Sequence, residues 1–274
     1  MRAIVYCCVV GLVLASAPVH ALESFVSYDD FSATNAKINP LKWTGLEFVG
    51  HGTEASRSIN AGALRMFYRA FGNAASNGGR TSSGFGLLLT KNTAAIKSLQ
   101  AQVKVLSAQV VDCSSNAAVT SSRAGLRGSF FNTGSSTFGG GATNDVHALL
   151  FLRRVPTDSG TGLRVRAQVF RCANASCSQV NSLQEKDLGA AATGQFFSTL
   201  QIEWDKPNKK FLFQLNGFLP KVVIAYSLSD SASPSIVFKA LELAADVENC
   251  TTLQSQGFMD TVFDNVKVNQ SANP

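Results

Sequence analysis

The sequence predicts an all-β chain of antiparallel strands, closed as a sandwich or a barrel. Three observations predict it. Apolar and polar residues alternate with a period of two along much of the chain. Turn signals rich in Gly, Asn, Ser and Pro separate those runs. Charged residues make up only 15% of the 274 residues against 45% hydrophobic, too apolar for disorder and too poor in charge for a coiled coil or helical array. No long linker and no internal repeat breaks the pattern, so residues 22–274 are expected to form one domain.

Residues 1–21 stand apart. Arg2 precedes an apolar stretch from Ile4 to Ala17, and Val19-His20-Ala21 places small residues where a secretory signal is cleaved. The stretch is shorter than the roughly 20 residues a membrane span needs. A secreted or periplasmic product cleaved after Ala21 is therefore expected, with no membrane span. Loss of Arg2 lowers the formal charge of +6 by one. The remaining cations are scattered, with no Lys/Arg run of the kind that binds polyanions, so no nucleic-acid partner is expected. The oligomeric state is not legible.

The strands follow in order. Leu99 to Val105 alternates, and so does Asp145 to Arg153, with Val146, Ala148, Leu150 and Leu152 on one side. Leu163, Val165, Ala167 and Val169 alternate with Arg164, Arg166, Gln168 and Phe170. Leu200, Ile202 and Trp204 alternate with Gln201, Glu203 and Asp205. Such patterning marks half-buried antiparallel strands. Asp205-Lys-Pro-Asn-Lys then turns the chain into Phe211–Leu215, and Asn216-Gly217 is a strong hairpin signal. Residues 73–86, 134–144 and 158–162 read as surface loops. Phe238–Cys250 is ambiguous. As a helix it would be the only one, short and at the sandwich edge; as a strand it would align Glu242, Asp246 and Glu248 on one face.

Beyond the signal, the cysteines are Cys113, Cys172, Cys177 and Cys250. In an oxidising compartment they read as disulfides rather than a zinc site. Four cysteines allow three pairings. Cys172 and Cys177 suit a stapled hairpin tip, which leaves Cys113 with Cys250.

The chain ends carry a family resemblance. Tyr28-Asp29-Asp30-Phe31, a short gap and Trp43 resemble the start of concanavalin A-like lectin/glucanase sandwiches. Phe263-Asp-Asn-Val-Lys-Val268 resembles the closing strand of laminin-G-like jelly rolls, and Leu200–Asp205 with Phe211–Gly217 resembles their paired strands. The resemblance implies a two-sheet antiparallel jelly-roll sandwich. It also implies one structural Ca²⁺ near the meeting of the first and last strands, held by Asp30 and Asp264, and no other cofactor. The fold hosts lectins, carbohydrate-binding modules, glucanases, lyases and adhesion domains, so it does not fix activity.

The residues narrow the chemistry. Glucanases of this superfamily carry E-x-D-x-x-E or E-x-D-x-E. Glu203 and Asp205 supply the first half, but Pro207 and Asn208 replace the third acid, and Glu185/Asp187 lack one too. There is no G-x-S-x-G elbow, HExxH, Walker A or Rossmann glycine pattern, and only His51 and His147 lie beyond the signal. No catalytic residue is assigned. The expected function is non-catalytic recognition of a carbohydrate or cell-envelope glycan. The alternatives are a polysaccharide hydrolase or lyase with a concave cleft, and a structural or adhesion domain. If its strands are neighbours, a polar sheet face of Gln100, Gln102, Lys104, His147, Arg164, Arg166, Gln201, Glu203 and Gln214 would form the groove, and Tyr68, beside Arg65 and Arg69, would be its exposed ring. From this set His147, Arg164, Arg166, Gln201, Glu203 and Tyr68 are the candidate ligand-binding residues.

Overall fold

The computed structural model describes residues 24–274 apart from 34–36, 49–51, 76, 114–118, 135–140, 159–161, 195 and 252–253. The expected signal segment and His51 lie outside the described residues.

Two antiparallel sheets face one another, and strands account for 62% of the described residues. One sheet runs β13 (Val222–Ala225), β12 (Lys210–Leu215), β11 (Ser198–Asp205), β6 (Ser98–Val111), β15 (Gln256–Asn269), β4 (Ala63–Phe71) and β3 (Thr53–Asn60), with β1 (Phe25–Asp29) added against the end of β15. The other runs β10 (Val180–Ala192), β9 (Gly162–Cys172), β8 (Asp145–Arg154), β7 (Ser121–Asn132), β14 (Lys239–Glu248), β5 (Arg80–Leu89) and β2 (Trp43–Phe48). The sheets are called here the eight-stranded and the seven-stranded sheet. The two-sheet sandwich expected from the chain ends is the architecture present.

The period-two residues fill the space between the sheets. Leu99, Ala101, Val103 and Val105 of β6 meet Val146, Ala148, Leu150 and Leu152 of β8 and Leu163, Val165, Ala167 and Val169 of β9 in one buried cluster. At one end Phe131 stacks on Trp204 with ring centroids 5.6 Å apart, and Tyr226 lies 4.8 Å from Phe131. The Trp204 indole N–H donates to Tyr226 Oη at 2.7 Å, so the half-buried ring keeps its polar atom satisfied.

The motif at the chain start is a packing device. Trp43 Nε1 donates to Asp29 Oδ2 at 2.7 Å, Phe31 stacks on the indole at 5.5 Å, and Tyr28 meets it edge-on at 5.2 Å. Trp43 belongs to the seven-stranded sheet and Asp29 to the eight-stranded one, so this cluster ties the two layers together. The hairpin signal is also realised. Asn216 and Gly217 both take positive φ, 52° and 72°, as a type I′ turn requires.

Two expectations need correction or completion. Residues 73–86 were expected to be loop throughout, yet β5 begins at Arg80, and Gly84 and Gly86 lie inside the sheet. The reason is close packing: an added Cβ at Gly84 would enter the Phe48 ring, and one at Gly86 would meet the Leu241 carbonyl. Small residues here record a crowded sheet rather than a turn. The ambiguous segment 238–250 is a strand. Leu241, Leu243, Ala245 and Val247 face the core, while Glu242 and Asp246 point the other way.

Lys239 shares the core-facing side of β14. It is 2% exposed, its Nζ donates to the Ser129 carbonyl at 2.6 Å, and it sits 4.3 Å from the centroid of Phe130. Burial lowers its pKa to about 7. The unfolded chain therefore binds the extra proton between pH 7 and the ordinary lysine range, and stability rises with pH across that window. The expected slope is about 1.4 kcal/mol per pH unit. Unfolding free energies measured from pH 7 to 10 in wild type and Lys239→Met check it, and the substitution should flatten the rise.

Candidate functional site

The outer face of the seven-stranded sheet holds a row of paired charges on the neighbouring strands β7 and β14. Register staggers them, with Arg127 facing Ala240, Gly125 facing Glu242, Arg123 facing Ala244 and Ser121 facing Asp246, so Glu242 falls between the two arginines and Asp246 just beyond Arg123. Arg123 Nη1 reaches Asp246 Oδ2 at 2.7 Å, and Arg127 Nη1 reaches Glu242 Oε2 at 3.2 Å. Arg123 also lies 3.9 Å from Glu242, and Ser82 of β5 donates to Asp246. Burial opposes ionisation of Asp246, but Arg123 and its other partners hold the carboxyl below the usual aspartate value.

Aromatic rings flank this row. Arg123 lies over Phe151 at 5.9 Å, and Arg127 sits 5.5 Å from the Phe170 centroid and 5.4 Å from that of Phe238. Asp145 fixes the approach of Phe238 by accepting the Ser235 and Ile236 N–H groups at 2.7 and 2.9 Å. Between the rings the floor is bare backbone, since an added Cβ at Gly125 would strike the Leu150 carbonyl. A crevice of about 10 Å³, room for a single water molecule, is lined here by Arg123, Gly125, Arg127, Leu149, Phe151 and Glu242. Among the described residues the Nε–H groups of Arg123 and Arg127 are buried without an acceptor.

The residues expected to line one groove occupy three places. His147, Arg164 and Arg166 do lie on the outer face of the seven-stranded sheet. His147 is 1% exposed and accepts from Arg127 at its Nδ1 over 3.2 Å. Burial, then the charges of Arg127 and Lys239, push its pKa well below the usual value, so the imidazole is neutral. Arg164 pairs with Asp187, and Arg166 lies 3.7 and 3.8 Å from Asp187 and Glu185.

Gln201 and Glu203 instead lie on the opposite side of the sandwich, on the outer face of the eight-stranded sheet with Gln100. A polar chain ties them together: Gln100 Nε2 donates to Gln201 at 2.7 Å, and Gln201 and Lys221 both donate to Glu203. The expected continuous face is thus corrected to two faces, because alternation fixes which side of its own sheet a residue takes but not which sheet its strand joins.

Tyr68, expected to be an exposed ring, is 3% exposed and stacks on Phe85 at 6.1 Å. On β4 it shares parity with Leu64, Met66 and Ala70, which all face the core. It lines a cavity of about 170 Å³ with Glu47, Phe48, Thr53, Ala55, Gly84 and Phe85.

Asp30 and Asp264 are near enough that the Asp30 charge contributes to raising Asp264, after burial as the larger cause. Asp30 Oδ1 also accepts from the Ser32 backbone and hydroxyl at 3.1 and 2.7 Å, and these bonds lower its pKa. Both disulfides are formed, Cys172–Cys177 and Cys113–Cys250. Among the described residues no helix is long and apolar enough to cross a membrane.

Sequence reasoning noticed Glu242 and Asp246 but missed Arg123, Arg127, Phe151 and Phe238. A signal was present in Ser121–Asn132, where Arg123, Gly125, Arg127 and Ser129 alternate with Ala124, Leu126 and Gly128.

No protein-family model matches the chain, and no curated protein matches it either. Solved structures are similar in outline. A GlcNAcα1-4Gal-releasing endo-β-galactosidase from Clostridium perfringens shares 11% identity over 88% of this chain, with a TM-score of 0.47. The chain spans 61% of that enzyme's length. A legume lectin-like domain from Entamoeba histolytica shares 10% identity over 81% of this chain and 89% of its own, with a TM-score of 0.33. The VIP36 exoplasmic/lumenal domain, bound to Ca²⁺ and Man3GlcNAc, shares 10% identity over 83% of this chain and 86% of its own, with a TM-score of 0.34. At such identities the likeness concerns the sandwich and nothing finer.

Proposed function

We propose that this chain is an exported, non-catalytic carbohydrate-recognition domain whose ligand lies across the β7–β14 row. The observation that carries the reading is the row itself. Guanidinium and carboxylate groups are held rigid by one another, flanked by Phe151, Phe170 and Phe238, over a glycine floor. Sugar hydroxyls bind fixed donors and acceptors of both signs, and the apolar face of a pyranose packs on an accessible ring; here that ring is the half-buried Phe238, since Phe151 and Phe170 are only 5% and 6% exposed.

The same geometry speaks against hydrolysis. Glu242 and Asp246 are four residues apart on one strand, and both carboxylates lean toward Arg123, at 3.9 and 2.7 Å. A glycosidase needs one carboxyl held protonated as a donor, its pKa raised, whereas Asp246 is held below the usual aspartate value. Here each acid is clamped by an arginine. A thermal-shift screen of the oxidised chain from Leu22 onward, against soluble polysaccharides, tests the reading. A glycan that binds the folded state raises the melting temperature by mass action. No shift with any glycan supports a structural or adhesion role.

We infer also that Asp30 and Asp264 hold one structural Ca²⁺. The Asp30 charge disfavours ionisation of Asp264, a divalent cation between the two would relieve that repulsion with oxygen donors it favours, and backbone carbonyls would complete the shell. Added Ca²⁺ should raise the melting temperature of wild type relative to EDTA, and Asp264→Asn should abolish the difference. Equal melting with Ca²⁺ and EDTA would exclude the site.

A further inference from the structure

The proposed recognition row leaves one buried cluster unused, that of His147 with the Cys172–Cys177 disulfide. The three ligand atoms lie within 4.8 Å of one another, and Cys172 Sγ is 3.6 Å from His147 Nε2. Arg127 decides what this cluster can do. A guanidinium only donates, so the His147 Nδ1 that it contacts at 3.2 Å must be an acceptor. The imidazole is neutral, and its proton therefore resides on Nε2, directed at Cys172 Sγ. With Nε2 protonated, the imidazole has no lone pair left for a metal, so the cluster is no metal site while Arg127 is in place.

We propose that Cys172–Cys177 is a labile disulfide that exchanges with external thiols, with His147 as the residue that positions a proton on the departing sulfur. Cys177 is the more exposed partner, whereas Cys172 is fully buried among Leu149, Phe151 and Phe170. The thiolate of a low-molecular-weight thiol attacks Cys177 Sγ. The new S–S bond joins Cys177 to that thiol as the bond to Cys172 breaks, and the electron pair leaves on Cys172 Sγ. That thiolate accepts the N–H of His147 and finally takes up the proton lost by the attacking thiol. A second external thiol then releases Cys177 as a thiol and departs as its own disulfide.

Apolar burial alone would disfavour a thiolate. The N–H donor and the Arg127 guanidinium on the far side of the imidazole oppose that effect; Glu242, paired with Arg127, is the nearest acid of the row. A better leaving thiolate leaves faster. The other disulfide has the opposite surroundings. The Cys113 N–H donates at 2.8 Å to the Glu248 carboxylate, which lies beside Asp112.

The test is limited reduction of the folded, oxidised chain with glutathione or dithiothreitol, followed by alkylation and peptide mapping. Cys172 and Cys177 should be labelled first, with glutathione trapped on Cys177. His147→Phe should slow their opening by about tenfold, the weight of one hydrogen bond to a charged group, while His147→Gln, which keeps an amide N–H, should retain most of the rate. Neither variant should change the opening of Cys113–Cys250. Exposure alone could order the two disulfides, so the comparison between variants decides. Equal rates in wild type and a folded His147→Phe overturn the proposal, as does Cys113–Cys250 opening first. If His147→Phe fails to fold, the reduced wild-type chain still decides by ultraviolet thiolate absorbance. Cys172 should ionise below the ordinary cysteine value of about 8.5, and ionisation at or above it overturns the proposal.

Discussion

Replacing Cys113 and Cys250 together by serine lowers the unfolding free energy by about 5 kcal/mol, the loop-closure entropy expected for a long cross-link. The two residues are 137 apart in sequence. Cys113 follows the end of β6 in the eight-stranded sheet and Cys250 follows β14 in the seven-stranded one, so the bridge staples the layers to each other. Cys172 and Cys177 are only five apart, and the same reasoning gives about 2 kcal/mol for their removal. Denaturant titration of the two double variants measures both losses. Equal losses would show that chain entropy is not what the long bridge supplies.

Arg127→Met is expected to cost about 3–5 kcal/mol, because it strands a buried carboxylate. The Glu242 side chain is 5% exposed, and its remaining cation, Arg123, is 3.9 Å away. The loss should come mainly from the unpaired charge rather than from the missing contact. Arg127→Met/Glu242→Met should therefore recover much of it, since well-packed apolar groups often replace a buried ion pair without penalty. Stability and recognition separate here: the double variant should be stable and yet lack the polar row.

Much of the sandwich was legible because alternation reports burial directly. β6, β8, β9, β11 and β12 were readable from their own residues. β14 was not, because Ala, Leu and Glu suit a helix as well as a strand, and only pairing with β5 and β7 decides. β5 was hidden by Gly84 and Gly86, whose smallness answers to Phe48 and the Leu241 carbonyl across space. The candidate site was less legible for a related reason. His147 and Gln201 both alternate with core residues, but nothing local states that β8 and β11 belong to different sheets. Tyr68 shows the converse. Its arginine neighbours suggested a wet surface, while its parity with Leu64 and Met66 turns it inward.

The central claim is that recognition uses the outer face of the seven-stranded sheet. Its most direct test is calorimetric titration of the glycan giving the largest thermal shift into wild type, Phe238→Ala, Arg127→Met/Glu242→Met and Gln201→Ala. Loss of binding in the first two variants, with wild-type affinity in Gln201→Ala on the opposite face, is the predicted result. Unchanged affinity in Phe238→Ala and the double variant, or loss confined to Gln201→Ala, would contradict it.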